Sequence, residues 1–170
     1  MKQNLQKKTR RITGKAEKAA RSRLRMELAG LAFAVAHGYT PQRYARHLWG
    51  KGAVKWMGKG NPSMKEYLEK EIEVMDYLFP WLGMELVEVS PDRVEVRFEG
   101  GCLGGWGEED RWALARSLGL DRWDVCRYCG EAFKTWAKQL GLKAAPHPAR
   151  DGSCRLVAWK WPEEGNSPGK

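Results

Sequence analysis

The segment DRWDVCRYCGEAFKTWAKQL, residues 121–140, decides how the C-terminal half of the chain folds. Its apolar residues recur every three or four positions, which predicts one amphipathic helix. Asp121 stands at the N-cap position with Asp124 three residues later, which is the spacing of a capping box. The helix carries two of the four cysteines, Cys126 and Cys129, which lie three positions apart and therefore on one side.

Strand patterns flank this helix in the sequence. Residues 84–89 and 93–98 alternate apolar and charged side chains around Ser-Pro-Asp, which predicts a hairpin with one face on the core and one in water. Residues 153–161 predict a closing strand. The proline-containing segment 145–148, followed by Arg-Asp-Gly at 150–152, predicts a turn before it.

The N-terminal half predicts helices. Residues 26–36 are almost wholly apolar, which indicates a helix buried on most sides, and residues 41–49 follow a Thr-Pro helix start. A glycine-rich connector over 51–62 leads to a capping box that opens a helix over 63–79, and a short helix is predicted over 111–118. The acids of the 63–79 helix are expected to form a solvated face: Glu66, Glu69, Glu71 and Glu73. The sequence therefore predicts an α+β fold, in which a helical N-terminal half precedes a small antiparallel sheet (hairpin plus closing strand) packed by two helices.

The net charge of +9 is concentrated at the N-terminus. Residues 1–25 hold ten Lys/Arg and one Glu, and the rest of the chain has equal numbers of acidic and basic residues. We expect a basic, disordered arm over 1–22, a single domain over 23–161 and a loose tail over 162–170. The arm is either a solvated leader or a docking element for an acidic partner or nucleic acid, while the neutral body gives little support for a nucleic-acid module.

No run of about 18 uncharged apolar residues is present, so no membrane span is predicted. The basic N-terminus lacks the apolar core of a signal peptide, and we expect a cytoplasmic protein. Nine tryptophans predict a core or pocket walled by indoles, or a homodimer surface. The candidate residues for binding a small-molecule ligand are Trp106, Trp123 and Trp136.

The four cysteines are the candidate metal ligands. Cys102 follows the hairpin on glycine-rich backbone and Cys154 precedes the closing strand, so both lie beside strands that can pack against the Cys126–Cys129 side of the helix. Four thiolates could hold zinc or an iron–sulfur cluster. The alternative is that these thiols pack as small apolar groups or react individually.

Two residues are candidates for catalysis. Cys102 is the best placed nucleophile, although the acids at 108–110 would raise its pKa. His147 lies between two prolines close to Cys154, where it is a base, a ligand or an ordinary loop residue.

Three motifs together resemble a known family. They are Phe98-Glu-Gly-Gly-Cys102, Cys126-Arg-Tyr-Cys129-Gly and Asp151-Gly-Ser-Cys154-Arg-Leu, and the helix–Gly-Tyr-Thr-Pro–helix pattern over 32–49 supports them. The arrangement resembles the L-2-amino-thiazoline-4-carboxylic acid hydrolase-like family and the related 4-vinyl reductase domain, over about residues 26–161. The resemblance implies a domain that encloses a small apolar ligand, with the four cysteines as metal ligands. If the domain is catalytic, it implies hydrolysis of a C–N or C–S bond.

The functional prediction is therefore a hydrolase-like, small-molecule-binding domain with a cysteine-rich site at or near its pocket. The alternative is a non-enzymatic zinc or iron–sulfur module that acts through a protein or nucleic-acid partner.

Overall fold

The predicted helices and strands follow one another in the predicted order, and two further elements come between them: a short helix within the glycine-rich connector and a strand before the closing strand. The structure, a computed structural model, describes residues 14–78, 82–99, 109–149 and 153–160. Its elements are α1 Gly14–Ala36, α2 Pro41–Trp49, α3 Ala53–Met57, α4 Met64–Leu78, β1 Gly83–Ser90, β2 Arg93–Glu99, α5 Glu109–Ser117, α6 Arg122–Lys138, β3 Leu142–Pro148 and β4 Cys154–Lys160. The predicted α+β class, with a helical N-terminal half and an antiparallel sheet against helices, is confirmed.

The sheet has four antiparallel strands in the order β1-β2-β4-β3. The hairpin and the closing strand are where the sequence predicted them. The prediction of a turn at 145–148 was wrong, because these residues belong to β3, which pairs with β4 from Leu142↔Lys160 to Pro148↔Cys154. β3 lies at the edge of the sheet, where a strand tolerates prolines because only one side of its backbone joins the ladder.

One face of the sheet packs on α4 and α6 and forms the core. Val96 and Leu156 are fully buried on this inner face, together with Leu68 of α4. The opposite, outer face carries the charged residues of the alternating pattern, among them Arg97 and Arg155, which pair in register on β2 and β4. The hairpin therefore has the predicted polarity, with one face on the core and one in water.

α1 differs from the prediction in length and in burial. It begins at Gly14, so residues 14–22, which we expected to be disordered, are helical, and residues 1–13 lie outside the described part. Ala20 and Leu24 are buried, which gives the early turns of the helix an apolar contact. Met26 and Phe33 are 73% and 66% exposed, so the helix buries one stripe and not most sides. None of the described helices combines the length and the apolar character that crossing a membrane requires.

α6 begins as predicted. The Asp124 N–H donates to Asp121 Oδ1 at 2.7 Å and the Asp121 N–H donates to Asp124 Oδ2 at 3.2 Å, which completes the capping box. Past its C-terminus, Gly141 has φ +71°, in the left-handed region that favours glycine. A Cβ at this position would lie 2.8 Å from Oδ1 of Asn61, so both backbone angle and space require glycine here.

A candidate ligand-binding cavity

A cavity of about 460 Å³ lies between the helices and the inner face of the sheet. All six helices, β3 and β4 contribute side chains to its wall. Most of these side chains are apolar, as in the pockets that take small organic molecules, and the volume lies within the usual range of such pockets. The fold therefore forms a partly open pocket suited to a small, largely apolar ligand.

Indoles form one side of this cavity. Trp136 packs edge-on against Trp49 with ring centroids 5.4 Å apart, and against Trp56 at 5.6 Å with an interplanar angle of 60°. Trp112 of α5 is a further lining residue. Tilted and edge-to-face packing of this kind fixes aromatic rings in place, so this part of the wall is a preformed surface.

The predicted ligand-binding tryptophans have different locations. Trp136 lies in the cavity wall. Trp123 is 55% exposed and does not line the cavity, although the Arg122 guanidinium lies 5.8 Å from its ring centroid. Trp106 lies outside the described residues. The sequence reasoning did not single out Trp49, Trp56 or Trp112, whose shared location depends on how separate helices pack.

Glu71 is the main site residue that the sequence reasoning missed. We expected it on a solvated helix face, but it is 7% exposed and lines the cavity. Burial raises the pKa of its carboxyl to about 7, although the neighbouring Tyr67 hydroxyl opposes this shift. The signal was present, because the buried residues of α4 follow the helical period through this position: Met64, Tyr67, Leu68, Glu71 and Met75.

Tyr67 stands one helical turn before Glu71 and is fully buried. Its hydroxyl lies close enough to the Glu71 carboxyl to favour the ionised acid, but it meets no acceptor with full hydrogen-bond geometry within the described residues. Burial raises the pKa of Tyr67 well above its usual value, and the nearby Glu71 carboxyl raises it further. Tyr67 and Glu71 therefore form a buried pair of polar groups on one side of α4.

A hydrogen-bonded chain connects three helices at another part of the cavity wall. Trp49 Nε1–H donates to Tyr128 Oη at 3.0 Å, and the Tyr128 hydroxyl donates to Glu27 Oε1 at 2.9 Å. Burial, with the Glu27 carboxylate second, raises the pKa of Tyr128. Arg23 lies 3.9 Å from Glu27 and is also a lining residue. This chain holds α1, α2 and α6 together through polar groups that are mutually satisfied.

Three of the four predicted metal-ligating cysteines line the same cavity. Cys126, Cys129 and Cys154 are present as thiols. Burial raises the pKa of Cys126, although the Arg122 guanidinium opposes the shift, so this thiol is not activated as a nucleophile. Cys102 lies outside the described residues.

The cysteines share a cavity but do not form a set of metal ligands on their own. Across residues 14–78, 82–99, 109–149 and 153–160, no group of three or more His, Cys, Asp or Glu side chains is placed to hold a metal ion. The described donors therefore do not fit zinc or an iron–sulfur cluster without Cys102, and we assign no chemical step to a metal.

His147 lies away from the cavity. It is an exposed residue of β3 and pairs in register with Arg155, whereas the prolines on either side of it line the cavity from the other face of the strand. Burial, followed by the positive charges of Arg155 and Arg93, lowers the pKa of His147. Its location on the outer face gives no support to the predicted role as a base beside the cysteines.

The arginines near His147 surround one buried carboxylate, Glu95, which is 1% exposed. Arg97 donates from Nε to Glu95 Oε1 at 2.8 Å and places Nη2 2.7 Å from the same oxygen. Arg93 and Arg155 approach Glu95 Oε2 at 3.6 and 3.9 Å. This ion-pair cluster lets a carboxylate lie in the middle of the outer face without an unpaired buried charge.

Comparison of the chain with known protein families, with curated proteins and with solved structures finds no match. The resemblance to the thiazoline-carboxylate hydrolase-like family stays a prediction from its three motifs, and the geometry of the cavity is the principal guide to function.

Proposed function

We propose that this protein is a small-molecule-binding domain whose site is the cavity between the helices and the inner face of the sheet. The observation that carries the proposal is the partly open volume of about 460 Å³ walled by packed indoles, with the buried carboxyl of Glu71 in the same wall. An apolar wall that faces water is unfavourable. A ligand that fills the cavity covers this wall.

The wall also suggests how a ligand would be recognised. Indole and aliphatic surfaces suit an apolar body, and a few polar groups at fixed places give orientation. Glu71 supplies one such group, since a carboxyl with a pKa of about 7 either donates or accepts a hydrogen bond near neutral pH.

A catalytic version of the proposal follows from the same residue. A carboxyl with a pKa of about 7 suits general acid–base catalysis at neutral pH. In the hydrolysis of a C–N or C–S bond that the family resemblance implies, Glu71 would take a proton from the attacking water and return it to the leaving nitrogen or sulfur. The thiols of Cys126, Cys129 and Cys154 would line the space in which this C–N or C–S bond is broken.

Cavity-filling substitution tests the binding proposal. We expect the wild-type protein to bind the neutral fluorescent probe N-phenyl-1-naphthylamine at one saturable site. Ala132→Trp places an indole in the cavity and should abolish this binding, because Ala132 of α6 lines the wall. Lys134→Trp adds the same side chain at an exposed position of α6 and should leave binding intact. Equal binding by Ala132→Trp and wild type, with both folded by circular dichroism, would contradict the proposal.

The alternative function, a zinc or iron–sulfur module, is decided by metal content. Three thiols on one cavity wall are the observation in its favour. Elemental analysis and an absorption spectrum of anaerobically purified protein measure metal directly. A metal-bound protein that loses its metal on Cys154→Ser would support the four-cysteine site, whereas unchanged metal content in that variant would exclude it.

A further inference from the structure

The carboxyl of Glu71 has an unusual environment for an acidic side chain. It is 7% exposed, lies in a mostly apolar wall and faces a space large enough for a small molecule. Placing a carboxylate in such surroundings is costly unless an opposite charge accompanies it, so its ionised form calls for a cation in the cavity.

The aromatic side of the wall also favours a positively charged ligand. Trp136 packs against both Trp49 and Trp56. The ring centroid of Trp56 lies 6.5 Å from that of Tyr67, and the Tyr67 hydroxyl interacts with the Glu71 carboxyl. A continuous set of rings thus leads from the indoles to the carboxyl. The faces of indole rings carry negative potential, and they attract ammonium groups that have left water.

We propose that the ligand of this cavity is an organic cation, an amine in its ammonium form carried on an apolar body, whose charge pairs with the Glu71 carboxylate. This inference rests on the proposed function and specifies the chemical class of its ligand.

Tyr67 supports the ionised state of the site. Its buried hydroxyl stands one turn from Glu71 and favours the ionised form of that carboxyl. When Glu71 ionises, its carboxylate becomes a strong acceptor for the Tyr67 hydroxyl. An ammonium group and the Tyr67 hydroxyl would therefore stabilise the same carboxylate.

Other charged and titratable groups border the site from α1, α4, α6 and β4. The Tyr67 hydroxyl of α4 stands near Glu71, and the Cys129 thiol of α6 stands near Tyr67. The remaining groups on the cavity wall are Arg23, Glu27, Arg122, Cys126, Tyr128 and Cys154.

The two arginines of the wall interact with groups other than Glu71. Arg23 pairs with Glu27 across 3.9 Å. Arg122 donates to the carbonyl oxygen of Ala149 at 2.7 Å and lies 5.8 Å from the ring centroid of Trp112. An added ammonium group is therefore the natural counterion for Glu71.

Three probes with one skeleton and different charge test the inference. They are 2-phenylethylamine, 2-phenylethanol and 3-phenylpropanoate, titrated into the full-length protein while tryptophan fluorescence and heat of binding are recorded. We expect the amine to bind at least about tenfold more tightly than the alcohol at pH 8, because a charge-assisted pair is worth more than a neutral hydrogen bond.

Binding of the amine should tighten about tenfold between pH 6 and pH 8, because Glu71, with a pKa of about 7, must lose its proton to pair with the ammonium group. Calorimetry in buffers of different ionisation enthalpy should detect this proton release. Glu71→Gln should remove both the preference for the amine and the pH dependence. Glu69→Gln, an exposed position of the same helix, should change neither.

The outcomes separate this inference from the proposed function. If the alcohol binds as tightly as the amine, or Glu71→Gln keeps the amine preference, the cation inference fails while the binding function stands. If the propanoate binds most tightly, the cavity selects anions and the inference is overturned. If none of the three binds and the naphthylamine probe does not bind either, both the inference and the proposed function fail.

Discussion

Replacing Glu71 with glutamine should make the protein more stable at alkaline pH and change its stability much less at acidic pH. The reason is the unpaired carboxyl in the cavity wall, whose pKa rises from 4.5 to about 7 on folding. Above pH 4.5 the unfolded chain releases this proton while the folded chain retains it, so ionisation favours the unfolded state. Stability contributed by the protonated acid is present below pH 4.5 and is lost as the pH rises toward and beyond 7.

The magnitude follows from the two pKa values. The pKa of Glu71 rises from 4.5 to about 7 on folding. Ionising this carboxyl in the folded protein therefore destabilises the fold by roughly 3 kcal/mol. Between pH 5 and pH 8 the wild-type protein should lose roughly 2 to 3 kcal/mol through this one group. The glutamine variant cannot ionise here and should not show this loss.

Urea denaturation at pH 5 and pH 8, followed by circular dichroism, measures the effect. The quantity of interest is the free energy of unfolding of Glu71→Gln minus that of wild type at each pH, because the other titrating groups cancel in this difference. We expect the difference to grow by roughly 2 to 3 kcal/mol, which moves the midpoint by about 1 M urea at a typical denaturant dependence. Glu69→Gln is the matched control and should show no pH-dependent difference.

A difference that stays constant between the two pH values would refute the reasoning. A difference that shrinks as the pH rises would mean that Glu71 is stabilised as a carboxylate in the folded protein. Either result would also remove the electrostatic basis for an ammonium ligand.

Four further substitutions test other parts of the structure by the same denaturation measurement, and one of them also by an NMR titration. Glu95→Gln should cost about 2 kcal/mol, because it removes the acceptor of charged hydrogen bonds. The same substitution should lower the pKa of His147 further in an NMR titration, since Glu95 now raises it; an unchanged pKa would contradict the electrostatic assignment. Gly141→Ala should cost about 2 kcal/mol and Gly58→Ala about 1 kcal/mol, since both have positive φ but only the methyl group at 141 meets a neighbouring side chain. Equal losses of stability in these two variants would show that the Asn61 side chain moves away from the added methyl group without cost. Asp121→Ala should cost about 1 kcal/mol of stability, because it removes the capping box of α6. Unchanged stability would indicate that another group caps the helix in this variant.

Features set by nearby residues could be predicted from the sequence. The start of α6 depends on Asp121 and Asp124, and the hairpin depends on alternation over a few residues around a turn. Both are local signals that tertiary packing did not override. β3 was missed because Pro146 and Pro148 indicate a turn in isolation, and only their location at the edge of the sheet makes a strand acceptable.

The cavity could be predicted only in part. Trp136 and the inward direction of Cys126 and Cys129 follow from the helical period of α6. The convergence of Trp49 and Trp56 on the same space depends on the packing of α2 and α3 against α6, which no local pattern encodes.

Glu71 is an intermediate case. The helical period already placed it in the buried stripe of α4, but its charge favoured a solvated interpretation. Sequence conflicts of this kind, where residue type and position disagree, are where functional groups are expected.

The prolines of β3 also bear on how the molecule meets its neighbours. An exposed sheet edge offers a row of backbone donors and acceptors to which another chain can add a strand. Pro146 and Pro148 have no N–H to offer, so two consecutive inner-face positions of this edge strand lack a donor. The same two side chains close the cavity on their inner side. Two residues therefore line the cavity and also discourage strand addition and aggregation at this edge.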